Sequence, residues 1–560
     1  MSDAVDTTPG LEANAANAQV AAIAVAPHPL TIDPAGEGFW ASIDRLTDRA
    51  SGWLNPILIK EARQALKSKQ FLITFFSLLM CSWLWTILGI VLQTPDVYFI
   101  PTGETMLYGF YFVLAIPMLG MVPLVAHRSL AAEIDDGTFE MLAITKLSSM
   151  RIVLGKLNSA MLQMLIYFAA VVPGLAFSYL LRGVNMPTMV MLVIVVFFSA
   201  MLLTTFGLLV ATLASHRAWQ ALALLAVIGV VLIAQFICGA VCLDGILGTD
   251  VGSESEAWFV LAAFVLVGAT CMVLFIKAAA ARIAPVTENR STGLRWWMFL
   301  QQLVWIFTFA YLTFYNFGDP GFRSAEPMHF AMIVIAGYWC LMGTLMLAES
   351  PELSPRVQRG LPSTFAGRML KLWFNPGPGT GFMFATCSGV TAMLVIGIFL
   401  SIPELVDFSS SSKTASMTMA LLLSGYLLFY LGTVRLLVML LHLILRRTFV
   451  VPIVVLAAVL FAGVIIPFLA RVVLAGGMSG SHSMIDLPNW GWTIERAFWP
   501  GVGWEFGLLA FTAGGLVFAL NLLLFFREFT YRRIAEPARL QAEQALSESD
   551  IVPDVLAPDA

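Results

Sequence analysis

Few side chains in this sequence are equipped for chemistry, and most of them stand far apart. Cys238 and Cys242 are four residues apart, so on a helix their thiols share one face. That spacing serves two packed thiols or half of a soft-metal site, and packing is the reading taken. Cys81, Cys271, Cys340 and Cys387 each lie alone in apolar surroundings, which speaks against a disulfide framework. Glu133 and Glu140 form a possible carboxylate pair, but they fall in a polar insert where nothing raises a carboxyl pKa, so they read as solvated charges. The Gly-rich run GPGTG at 377–381 lacks the lysine of a phosphate-binding loop and leads straight into an apolar stretch, so it reads as a turn at a membrane surface. There is no G-x-x-x-x-G-K-[ST], no H-E-x-x-H and no G-x-S-x-G, and the six histidines are scattered. The expectation is a protein that is not an enzyme, with no catalytic residue, no metal site and no cofactor of its own.

The elements that carry these residues are set by composition. Of 560 residues, 59% are hydrophobic and only 12% charged, about half the charge of a soluble domain. With a mean hydropathy of +0.85, the fold class is an all-α, polytopic integral membrane protein. A helix needs about 20 apolar residues to cross the hydrocarbon core. Runs at 72–92, 106–126, 157–181, 188–213, 221–243 and 257–276 meet that length, and so do runs at 296–317, 328–348, 381–400, 417–434, 450–470 and 506–526. The domain reading follows: a tail at 1–50, a six-span unit at 51–290, a second six-span unit at 291–530 and a C-terminal tail at 531–560. Residues 1–44 hold no Lys or Arg, which excludes a cleavable signal and marks a disordered tail.

Basic residues orient the spans. With both termini in the cytoplasm, only Arg182, Arg323, Lys413, Arg471 and Arg496 of the 31 basic residues fall outside. Acidic residues gather on the outer side, with Asp244, Asp250, Glu254 and Glu256 in one loop. Trp490, Trp492, Trp499 and Trp504 share the long outer loop and read as anchors in the headgroup layer. The cores of the spans contain no Asp or Glu, which argues against an ion-coupled carrier. With the tenth span starting at Met417, Arg435 snorkels to the inner surface; a longer helix would carry it deeper. The net charge of -4 gives no reason to expect nucleic acid as a partner.

Two segments on the inner side are patterned. Asn55 is a good N-cap, and Pro56 suits the first helical position. The helix they open puts Leu58, Ala62, Ala65 and Leu66 on one face and Lys60, Arg63, Gln64 and Lys67 on another. With Glu61 also in its turn, it reads as an amphipathic interface helix lying on membrane lipid. In the insert at 131–156, Asp136-Gly137 signals a turn. Thr138 caps a short helix bearing Phe139 and Leu142, Thr145 to Leu147 break it, and Ser148 caps a new helix through Arg151. An apolar patch rimmed by charge suits docking to a protein partner.

These two segments, in this order, resemble the permease subunits of type-2 ABC exporters. The family pattern E-x-x-x-G-T-x-E-x-L, then T-P-[LI]-S, then a basic residue and G-K, is met at Glu133, Gly137, Thr138, Glu140, Leu142, Thr145, Leu147, Ser148, Gly155 and Lys156, with Lys146 standing where Pro is common. The resemblance covers the first six spans. It implies that the insert is the coupling helix, with Glu133, Gly137, Thr138, Phe139, Glu140, Leu142, Thr145, Ser148 and Arg151 resting on a separate ATPase subunit. It implies two copies of that ATPase, which holds the ATP and Mg, a homodimer or heterodimer of permeases, and the bacterial cytoplasmic (inner) membrane. Pro117, Pro123 and Pro173 would let the second and third spans bend. Trp373-Phe374-Asn375-Pro376 echoes Trp53-Leu54-Asn55-Pro56, but the loop after the eighth span lacks the G-T-x-E core, so the second unit reads as accessory or degenerate. The rival readings are a secondary carrier and a membrane scaffold or sensor.

Overall fold

The computed structural model describes residues 56–136, 148–213, 217–248, 255–285, 288–314, 325–350, 355–359, 361–364, 366–367, 371, 373–402, 410–445, 448–475, 483–498 and 502–528. Those residues are helices and short connections. Twelve helices among them are long and apolar enough to cross a membrane, and the chain is a multi-pass, all-α membrane protein.

Helix α1 (Pro56–Lys67) precedes the first span, α2 (Lys69–Leu92). Ser68 makes the break between them. Its hydroxyl donates to the Ala65 carbonyl at 2.7 Å and accepts from the Phe71 N–H at 3.1 Å, closing one helix and capping the next. The second span is α3 (Gly103–Ala115), a π-helical stretch Ile116–Met121 and α4 (Val122–Asp135). Pro117 opens the π-helical stretch, since its ring has no N–H to give and collides with the preceding turn of an ideal helix. Pro123 sits in the first turn of α4, and Pro173 lies inside the next helix, α5 (Ser149–Leu180). Then come α6 (Met186–Ala211), α7 (Arg217–Ala240) continuing as a π-helical stretch Val241–Leu247, and α8 (Ser255–Ile283).

The remaining spans are α9 (Thr292–Phe314), α10 (Glu326–Met346), α12 (Pro378–Ser401), α13 (Ser410–Leu441), α14 (Val450–Ala475) and α16 (Trp504–Glu528). Two short helices join them, α11 (Pro355–Arg359) and α15 (Trp490–Phe498). Side chains of α2 to α8 fill one hydrophobic core and those of α9 to α16 a second, into which α8 sends Leu274. Trp297 and Trp305 tie the two together by donating to the carbonyl and hydroxyl of Thr270 on α8 at 3.0 and 2.9 Å.

Burial is uneven. In α13, 72% of the central residues are buried, against 17% in each of α2, α7 and α14. The second core is therefore built round α13, while α2, α7 and α14 turn large apolar side chains such as Phe76, Phe236 and Phe461 outward. Along α13 the closest neighbour is α16. A Cβ on Gly514 would lie 2.3 Å from the Gly425 carbonyl oxygen, so only glycine lets the two backbones meet there.

Two expectations need correction. Arg435 does not snorkel to a surface. Helix α13 runs on to Leu441 and turns Arg435 inward, 1% exposed, with Nη1 donating to the Asn521 carbonyl at 2.9 Å and the guanidinium 5.1 Å above the Phe382 ring. The tryptophans of the long loop are not all anchors. Trp490 donates to the Leu460 carbonyl at 3.1 Å, and Trp492 lies beneath Arg471 and Arg496, because α15 packs against α13 and α14. A buried ion pair, Arg471 with Asp486, pins that segment; Trp504 is exposed, and Trp499 lies outside the described residues.

Of the Gly-rich run at 377–381, only Gly377 lies in a turn, with Pro378 to Gly381 already the first turn of α12, and the polarity of that turn is the reverse of a phosphate cradle. The carbonyls of Trp373, Asn375 and Gly377 all point at the buried Arg295 guanidinium, which also meets Glu349 at 2.7 Å. Gly377 has φ +144, a conformation that favours glycine, and its N–H closes the turn on Glu349 at 2.6 Å.

Candidate functional site

The densest charged cluster on the first core lies at the end of the bundle that bears α1. It is centred on Lys156, in the second turn of α5, whose side chain is only 3% exposed. The helical phase explains this placement. Val153, Lys156, Leu157 and Ala160 fall on the face that α5 turns inward, and all are buried. A buried ammonium needs partners. Lys156 Nζ lies 3.0 Å from Glu133 Oε2, 3.3 Å from Glu61 Oε2 and 3.0 Å from the Ser129 hydroxyl, to which it donates. Lys60 Nζ adds a looser contact to Glu133 Oε1 at 3.9 Å. One ammonium thus joins α1 (Glu61), α4 (Ser129 and Glu133) and α5.

Beside this junction is a cavity of about 180 Å³, lined by Glu61, Gln64, Ser68, Gln70, Thr74, Lys156, Gln163 and Tyr167 together with apolar groups. Phe71 stacks on Tyr167 with ring centroids 5.5 Å apart and closes its apolar side. The two carboxylates share the Lys156 ammonium, an arrangement suited to holding helix ends together.

Of the interface-helix residues, Pro56 opens α1, and Lys60, Arg63 and Lys67 are exposed on its polar face together with Gln64. Glu61 is the exception: it is 8% exposed and faces inward with Ala62 and Ala65. Asn55 lies outside the described residues. Of the insert, Gly137, Thr138, Phe139, Glu140, Leu142 and Thr145 lie outside them too, and only its two stems are described. Glu133 is not a solvated loop charge. It belongs to the last turns of α4, and its side chain is 19% exposed. Ser148 occupies the N-cap position of α5, and its carbonyl accepts from the Arg151 N–H at 2.9 Å, but its side chain makes no capping bond, contrary to expectation. Arg151 is exposed in the first turn.

Sequence reasoning found Lys156 only as the end of a pattern and missed Ser129, Ser68 and Gln163. A lysine that is the eighth residue of an apolar helix, on its inward face, is the signal that points to the first of these. Nothing local marks the others. No known protein family matches the chain, and neither does any curated protein or any solved structure.

Proposed function

We propose that this chain is the membrane-spanning subunit of an exporter driven by a separate ATPase, of the type-2 ABC permease kind. In this reading α1 and the 137–147 insert face the cytoplasm, both termini lie there, and the membrane is the bacterial cytoplasmic one. Two ATPase subunits dock beneath a pair of permeases, on the insert and on the exposed cations Lys60, Arg63 and Lys67 of α1.

The observation that supports this best is the Lys156 junction. The insert connects α4 to α5, and Lys156 clamps both of its stems to each other and to α1. A push on the insert is then shared by three helices and not lost in one flexible loop. The π-helical stretch Ile116–Met121 gives the second span a place to yield. Export follows when the ATPases close on ATP and the spans tilt.

The test is to purify the tagged chain from its own membrane. Wild-type protein brings down a P-loop ATPase whose turnover rises with the permease present. Phe139→Asp, in the insert, elutes as folded protein but loses that stimulation. Normal stimulation by Phe139→Asp, or transport in ATP-depleted vesicles driven by an ion gradient, overturns the reading.

A further inference from the structure

At the opposite end of the first core, a second group of residues comes together that the coupling reading does not use. Cys238 and Cys242 are 6% and 0% exposed, and their sulfurs lie 3.9 Å apart. Metal–thiolate bonds of about 2.3 Å place two sulfurs on one ion no more than about 4.6 Å apart, so a shared ion fits between them without moving the helix. The second cysteine also stands at the start of the π-helical stretch Val241–Leu247, a wider turn than an α-helix makes.

Two hydroxyls surround the pair. Tyr111, 1% exposed, points its hydroxyl at the turn between the cysteines, where a Cβ on Gly239 would lie 3.7 Å away. That hydroxyl is buried beside Cys238 yet makes no hydrogen bond of normal geometry. Ser199 on α6 also reaches Cys238. Above the thiols, toward the end of the span, Glu104, Tyr108 and the exposed Asp244 form an acidic mouth, with the Tyr108 hydroxyl 3.3 Å from both Glu104 Oε1 and the Leu243 carbonyl. No third His, Cys, Asp or Glu joins the two thiols among the described residues.

We propose that Cys238 and Cys242 bind one soft monovalent cation of the Cu(I) class. Thiolates select such ions, and a two-sulfur site suits their low coordination number, where Zn(II) requires four ligands. Binding displaces both thiol protons, giving a bis-thiolate complex of net charge −1 and two protons that leave through the acidic mouth. Copper stays Cu(I) throughout. A buried anion needs donors, and the Tyr111 and Ser199 hydroxyls supply them, which gives the buried Tyr111 hydroxyl a role. The acidic mouth concentrates cations at the surface directly above. This site stands apart from the coupling junction and does not depend on it.

The full-length chain, purified reduced under nitrogen, is titrated with Cu(I) against a chromophoric chelator. One Cu(I) per chain is expected, retained in a variant lacking Cys81, Cys271, Cys340 and Cys387 and lost in both Cys238→Ser and Cys242→Ser. Tyr111→Phe should weaken binding about tenfold, the loss of one hydrogen bond to a charged group. Because a serine variant can misfold, copper K-edge absorption on the loaded wild-type protein gives a second reading, in which two sulfur neighbours are expected. Nitrogen or oxygen neighbours, copper binding that survives Cys238→Ser, or a pair that closes to a disulfide in place of binding copper overturns the proposal.

Discussion

Lys156 shows how a single side chain can hold three helices together. Its ammonium is buried with two carboxylates on other helices, and removing one partner of such a pair costs about 3–5 kcal/mol, because the remaining charge is stranded. Replacing charged and polar partners together by apolar or neutral groups costs far less. Lys156→Met alone should therefore lower the detergent unfolding midpoint by several degrees, through the stranded Glu61 and Glu133. Adding Glu61→Gln and Glu133→Gln should recover most of the loss. Thermal unfolding of the single and triple variants measures this coupling, and additive losses would mean that the three residues act independently. Glu61 itself was legible from the helical phase of α1, since it falls on the face of Leu58, Ala62 and Ala65. That it would meet Lys156 was not, because the contact joins residues 95 positions apart in the sequence, and no local pattern carries that information.

At the scale of elements, the spans were the most readable feature. Whether a helix is apolar for about 20 residues is a local property, and each of the twelve expected runs lies on one of the twelve observed spans, although the second, third, sixth and tenth spans run on well past the expected bounds, the second to Asp135. What could not be read was how those helices pack. Helix α13 extends past the expected run at both ends: its first turns are polar, with Ser416 buried and bonded to His329, and it runs on to Leu441, six residues beyond Arg435, which sets the depth of that residue. The seam between α13 and α16 is equally hidden in sequence, since glycines in apolar helices are common. It yields a contrast. Gly514→Val would press a side chain into the Gly425 carbonyl and should cost about 3 kcal/mol, seen as loss of a monodisperse detergent peak. Gly229→Ala in α7, where nothing lies within 4 Å, should be neutral or stabilising by about 0.5–1 kcal/mol. Equal tolerance of both would mean that the seam is not closely packed.

For the whole molecule, the division of charge is the feature with a reach beyond any one contact. If α1 and the insert face the cytoplasm, a reporter that fluoresces only there should be bright when fused after Asp136 and dark when fused after Gly248. The reverse pattern would place the acidic mouth above Cys242 in the cytoplasm and remove α1 from contact with an ATPase.

The pairing of Arg435 with Asn521 also constrains how the protein is made. The arginine leaves the ribosome 86 residues ahead of the asparagine that receives its guanidinium. At synthesis rates of about 5–20 residues per second, that is a delay of about 4 to 17 seconds. A cation at the centre of a lone helix costs about 2.5–3.5 kcal/mol in lipid, and less toward the end, where Arg435 stands six residues before Leu441. The tenth span is thus best kept in the shelter of the insertion machinery until the twelfth emerges. A nascent chain stalled before α16 would lack the carbonyl that receives this guanidinium.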